Sequence, residues 1–121
     1  MTSPPAPQTA TWRPLLEADF LEPGTPQRVV VDGLPPLAIF RLDDGSCHVT
    51  ADACTHGDAS LSEGFVEGDE IECPWHGGRF CVRDGKATAQ PAAFALRTWP
   101  VRVVDGQVCI EIAAADTRAA G

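Results

Sequence analysis

The chain has 121 residues and a formal net charge of −8, a length that fits one domain with a modest core. That acidity disfavours a nucleic-acid partner. Residues 1–10 carry neither a basic region nor an apolar run, and no stretch has the apolar length of a membrane span, so no signal peptide, no membrane association and a cytoplasmic location are expected.

In chain order, residues 1–10 read as a loose tail. Leu15–Leu21 reads as a short helical stretch of one or two turns, ended by Pro23-Gly24. The pattern then turns to strands, at Gln27–Val31, Leu37–Leu42 and Cys47–Ala51, with Pro35-Pro36 at a turn or strand edge. The dipeptides Asp32-Gly33, Asp44-Gly45, Asp84-Gly85 and Asp105-Gly106 are hairpin signals, because both residue types tolerate positive φ between short apolar runs. The clearest hairpin is Val101–Val104 with Val108–Ile112. It sets Val101, Val103, Val108, Ile110 and Ile112 on one face and Arg102 and Glu111 on the other. Residues 114–121 read as a second tail. The fold class is all-β.

Chemistry concentrates in two short motifs, Cys54-Thr55-His56 and Cys73-Pro74-Trp75-His76. Each offers one thiolate and one imidazole. That donor set suits a 2Fe–2S cluster in which one iron takes both cysteines and the other both histidines. Four thiolates would make the oxidised cluster a dianion, whereas two thiolates and two neutral imidazoles leave it neutral, and a neutral cluster accepts an electron more readily. Two other readings stand beside this one. Structural zinc uses the same residue types, though usually as Cys-x-x-Cys and His-x-x-x-His pairs. A Cys54–Cys73 disulfide would leave both histidines unexplained.

The remaining cysteines, Cys47, Cys81 and Cys109, read as structural. Cys47 shares a strand face with Val49, Cys81 shares one with Arg79 and Arg83, and Cys109 shares one with Glu111. His48 falls on the face of Thr50 and reads as solvent-facing. From Leu42 to Gly78 there is no Lys or Arg, and that span holds Asp43, Asp44, Asp52, Asp58, Glu63, Glu67, Asp69, Glu70 and Glu72. This is either a solvated acidic face or a surface that steers the chain to basic partners.

With their neighbours, Cys54-Thr55-His56-Gly57-Asp58 and Cys73-Pro74-Trp75-His76-Gly77-Gly78 resemble the two cluster-binding loops of Rieske proteins. The stretch from Thr55 to Gly64, with His76-Gly77-Gly78-Arg79-Phe80, is similar to the small Rieske-type ferredoxins of aromatic-ring-hydroxylating dioxygenase systems. The resemblance covers residues 12–112. It implies an antiparallel β-sandwich base over residues 11–113, with a small cluster-binding subdomain at 52–87 that carries both loops at its tip. It implies one Rieske [2Fe–2S] cluster per chain, with Cys54 and Cys73 on the inner iron and His56 and His76 on the outer one. Gly57, Gly77 and Gly78 would let backbone approach the sulfides, Pro74 would stiffen the second loop, and Trp75 would be either a core aromatic or a hydrophobic lid over the cluster, the lid being favoured at the tip. Respiratory Rieske proteins add a disulfide over the cluster and hydroxyl donors to its sulfurs. Here Asp58 or a near neighbour, Trp75, Gly78 and Phe80 stand in those places. Losing the donors implies a potential near the low end of the Rieske range, about −150 mV rather than +300 mV.

The implied function is one-electron carriage, without catalysis, from an NADH-dependent flavin reductase to a terminal Rieske oxygenase, by a monomer. The alternatives are a small Rieske-like subunit of an assimilatory nitrite reductase and a zinc-stabilised β-module.

Overall fold

The computed structural model describes residues 10–53, 59–75, 77–90 and 95–113. Eleven strands account for about half of them: β1 (Ala10–Glu17), β2 (Gln27–Val29), β3 (Leu37–Arg41), β4 (Cys47–Ala51), β5 (Phe65–Glu67), β6 (Glu70–Glu72), β7 (Arg79–Cys81), β8 (Ala87–Ala89), β9 (Thr98–Trp99), β10 (Val101–Val104) and β11 (Gln107–Ala113). They form three sheets, ordered β1-β11-β10, β2-β3-β4-β9 and β5-β6-β7-β8, with antiparallel pairing between neighbours. The fold is all-β. Each of the four Asp-Gly dipeptides joins consecutive paired strands, and at Asp105-Gly106 both residues take positive φ, 51° and 79°, as a tight two-residue hairpin turn requires.

β3 organises the interior. Its residues Leu37, Ala38, Ile39 and Phe40 are all buried, because both of its faces are covered. Alternation sends Leu37 and Ile39 into one core with Leu21, Val49, Trp99, Val108, Ile110 and Ile112. It sends Ala38 and Phe40, with Leu42 beyond the strand, into a second core with Leu61, Ile71, Phe80, Val82 and Leu96. The first core joins the β2-β3-β4-β9 sheet to the β1-β11-β10 sheet. The second joins it to the β5–β8 sheet, and the candidate site lies on that side.

Several expectations need correction. Leu15–Leu21 is not an α-helix. Its first residues continue β1, and only Ala18–Phe20 makes a 3-10 turn. The β1–β11 register shifts between Pro14 and Leu16, and Leu15 and Leu16 both pack against the first core. A bulge of this kind breaks period-two alternation and makes a strand look helical in sequence. Ala10 pairs with Ala113 and so belongs to β1 rather than to a tail. Val103 is 51% exposed, because β10 is an edge strand whose turn end runs past the core. Cys109 is buried although it shares a face with Glu111, since Pro14 and Arg102 flank it in register on either side. His48 is half-buried and its Nε2 lies 2.9 Å from Ser46 Oγ. Burial, and then the Arg83 charge, push its pKa below the ordinary histidine value.

Candidate metal centre

The second loop is built between β6 and β7. Ile71 and Phe80 pair across these strands and both enter the second core, so the chain must reverse in the six residues between Glu72 and Arg79. It closes with its own backbone. The Cys73 N–H donates to the Gly78 carbonyl at 2.7 Å, and the Gly77 N–H donates to the Cys73 carbonyl at 3.1 Å. Pro74 follows Cys73, where its fixed φ suits the turn, and Gly77 takes φ +75°. Cys73 is a free thiol, 1% exposed, packed in the second core. Trp75 is 62% exposed, so it is not a core aromatic. The Gly77 N–H is engaged by the loop's own carbonyl. Glycine supplies the positive φ that this position requires.

The first loop leaves the end of β4. Ala53 and Ser60 form an isolated antiparallel bridge, and the Leu61 N–H donates to the Asp52 carbonyl at 2.7 Å. Ala59 and Leu61 then enter the second core, beside Cys73. The described ends of both loops are thus held in one apolar core. Gly64 brings them close. A Cβ there would drive into the Glu72 carbonyl oxygen, one residue before Cys73.

Cys54, Thr55, His56, Gly57, Asp58 and His76 lie outside the described residues. Of the four expected ligands the structure therefore places Cys73. Among the described residues, no group of three or more metal-ligating side chains gathers elsewhere. A buried thiol in an apolar core, between chain ends that lead to the other three candidates, fits a group bridging two loops and shielded from water.

Two features of the site were not legible as functional in the sequence. Arg79 Nη2 donates to Glu72 Oε1 at 2.9 Å and Nη1 donates to Glu67 Oε1 at 2.8 Å, with Glu70 at 3.5 Å. Arg83 pairs with Asp44 and Asp69, at 3.0 and 3.5 Å. Ser46 hydrogen bonds and Arg83 hold the Asp44 carboxyl well below the usual carboxylate range. Much of the acidic run is therefore tied to two arginines outside it. Asp52 is different again. It is buried and accepts hydrogen bonds from Ser62 N–H at 2.8 Å, from Ser60 Oγ, and from Arg28 Nε at 3.3 Å. Only its position two residues before Cys54 set it apart in the sequence.

Residues 11–100 match the Rieske [2Fe-2S] domain family. The chain belongs to that family. Its cofactor is a Rieske-type 2Fe–2S cluster. The ferredoxin component of the p-cumate 2,3-dioxygenase system of Pseudomonas putida is 43% identical over 83% of this chain and 85% of its own length. Among solved structures, a ferredoxin of Sphingomonas yanoikuyae B1 superposes with a TM-score of 0.80 at 39% identity, covering 83% of this chain and 97% of the other. The complex of reduced oxygenase and oxidised ferredoxin in carbazole 1,9a-dioxygenase gives 0.77 at 43% identity, over 85% and 93%. A structure named for the small subunit of an NADH-dependent nitrite reductase, from Mycobacterium tuberculosis, gives 0.76 at 26% identity, over 84% and 95%. No helix among the described residues is long and apolar enough to cross a membrane.

Proposed function

We infer that this chain is the ferredoxin component of an aromatic-ring dioxygenase system. It carries single electrons from an NADH-dependent flavin reductase to the Rieske centre of a terminal oxygenase, as a cytoplasmic monomer. Its Rieske domain spans 10–113, with the cluster-binding part at 52–87. The observation that carries this reading is the convergence of both loop bases, Ala59 and Leu61 with Cys73, in one buried core. The relatives' names supply the dioxygenase context.

When bound, the cluster supplies a reversible one-electron couple. Cys54 and Cys73 would hold the inner iron, and His56 and His76 the outer one. Cys73 contributes a thiolate from the core side, where Phe40, Ile71 and Phe80 exclude water. Gly57 and Gly78 keep their loops free of side-chain bulk, and Pro74 limits the second loop's motion. Trp75, exposed one residue before His76, acts as an apolar lid beside the histidine edge where electrons enter and leave. The acids Glu67, Glu70 and Glu72 outnumber the single Arg79 that binds them, so the local charge stays negative and suits basic patches on partners.

The test is anaerobic mixing of the reduced protein with the oxidised terminal oxygenase of an aromatic-ring dioxygenase. Reoxidation of this chain with matching reduction of the oxygenase is expected. No transfer to any such oxygenase contradicts the reading. The nitrite reductase alternative keeps a structural neighbour, and stable co-purification with a large sirohaem protein would favour it.

A further inference from the structure

We propose that Asp52 is a positioning residue for the cluster, fixing the first ligand loop through its side chain. This rests on the reading of Cys54 and His56 as ligands. A carboxylate buried to 3% exposure is costly unless its lone pairs are satisfied and its charge is met. Here Oδ1 accepts the Ser62 N–H, and Oδ2 faces both Ser60 Oγ and Arg28 Nε. The backbone of the same residue is also engaged at both ends. Its N–H donates to the Pro36 carbonyl at 2.9 Å, and its carbonyl accepts from Leu61 N–H at 2.7 Å.

One residue therefore joins β2, through Arg28, the turn before β3, through Pro36, and the far end of the first loop, through Ser60 and Ser62. The described chain leaves at Asp52 and Ala53 and returns at Ala59 and Ser60, so both ends of the segment that carries Cys54 and His56 are fixed at this residue. Cys54 lies two residues from Asp52, and His56 four residues from both Asp52 and Ser60. A shift of the carboxylate would move both ends of that segment together, whereas Cys73, on a loop closed by its own backbone, would not follow. The side chain thus sets the register of one ligand pair against the other.

The test compares the holoprotein with Asp52→Asn and with Val49→Ala, a cavity in β4, the strand that leads into Asp52, facing the other core. Asp52→Asn keeps an acceptor for Ser62 N–H, removes the negative charge and turns the second atom into a donor facing the Arg28 Nε–H, which can only donate. Two quantities are read beside thermal unfolding: iron release from the oxidised protein to a chelator, and the EPR line shape of the reduced protein. Asp52→Asn should release iron about ten-fold faster than wild type or more, with an altered rhombic line shape. Val49→Ala should lose thermal stability while keeping the wild-type line shape. Iron release and line shape in Asp52→Asn no different from those in Val49→Ala would overturn the proposal. If Asp52→Asn does not fold, Ser60→Ala and Arg28→Gln each remove one contact to the same oxygen and should show smaller shifts in the same direction; wild-type behaviour of both would overturn it. A wild-type protein with no rhombic signal would instead sink the ligand assignment itself.

Discussion

The two ligand loops are held by different means. The loop at 73–78 is closed by its own backbone, Cys73 N–H to Gly78 and Gly77 N–H to Cys73. The loop beginning after Ala53 has backbone contacts at its base too, the Ala53–Ser60 bridge and Leu61 N–H to Asp52, but it is also tied by a side chain, the Asp52 carboxylate, whose partner Arg28 lies 24 positions earlier. A backbone-closed loop depends on local residues and keeps its shape wherever it is carried. A loop tied through a side chain depends also on the sheet beneath it, so strain in the base reaches its ligands. The first loop is therefore the more sensitive of the two to changes elsewhere in the chain.

The comparison can be broken at several points. Cys73→Ser carries the largest expected effect. It removes the one proposed ligand that lies within the described residues, so the protein should purify without the cluster's visible absorption, and a retained cluster would take Cys73 off the ligand set. Gly64→Val comes next. Gly64 has ordinary φ, but any Cβ meets the Glu72 carbonyl, so the two loop bases must part, at a cost of about 1–3 kcal/mol in unfolding free energy. Denaturant titration reads that cost, and an unchanged midpoint would remove the close approach from the account. Gly77→Ala differs in kind. Among the described residues nothing crowds that position, so the penalty comes from the positive φ, about 1–2 kcal/mol by the same titration.

The smallest effect belongs to His48, near the start of β4. Its pKa is lower in the folded protein than the ordinary value of 6.5, through burial and Arg83 against the opposing charges of Asp44 and Asp69. The unfolded state then binds more protons near that value, so His48 contributes stability that is present above it and is lost as pH falls through it toward the folded pKa. Melting temperature measured against pH should decline less for His48→Gln than for wild type over that window. Parallel curves would contradict this assignment.

What the sequence showed and what it hid follow the same division between local and distant contacts. The paired Cys-x-His and Cys-x-x-His motifs, the Gly77-Gly78 turn and the Asp-Gly hairpins are local, and each was readable from adjacent residues. The β5–β6 hairpin was less so, because it turns on Gly68-Asp69, the reverse order, with Gly68 at φ +60°. β1 hid behind a bulge that erased its alternation. Asp52 read as one acid among nine in a run without a base, since its partners Arg28, Ser60 and Ser62 meet it only after β2, β3 and β4 have paired. His48 read as exposed because a single strand's alternation does not reveal that both faces of its sheet are covered.

The central claim is that the two loops together hold a Rieske cluster tuned for a dioxygenase ferredoxin. An anaerobic redox titration followed by EPR tests it most directly. The account predicts a rhombic 2Fe–2S signal that appears near the low end of the Rieske range, about −150 mV. A protein that lacks iron and shows no signal at any potential would contradict it.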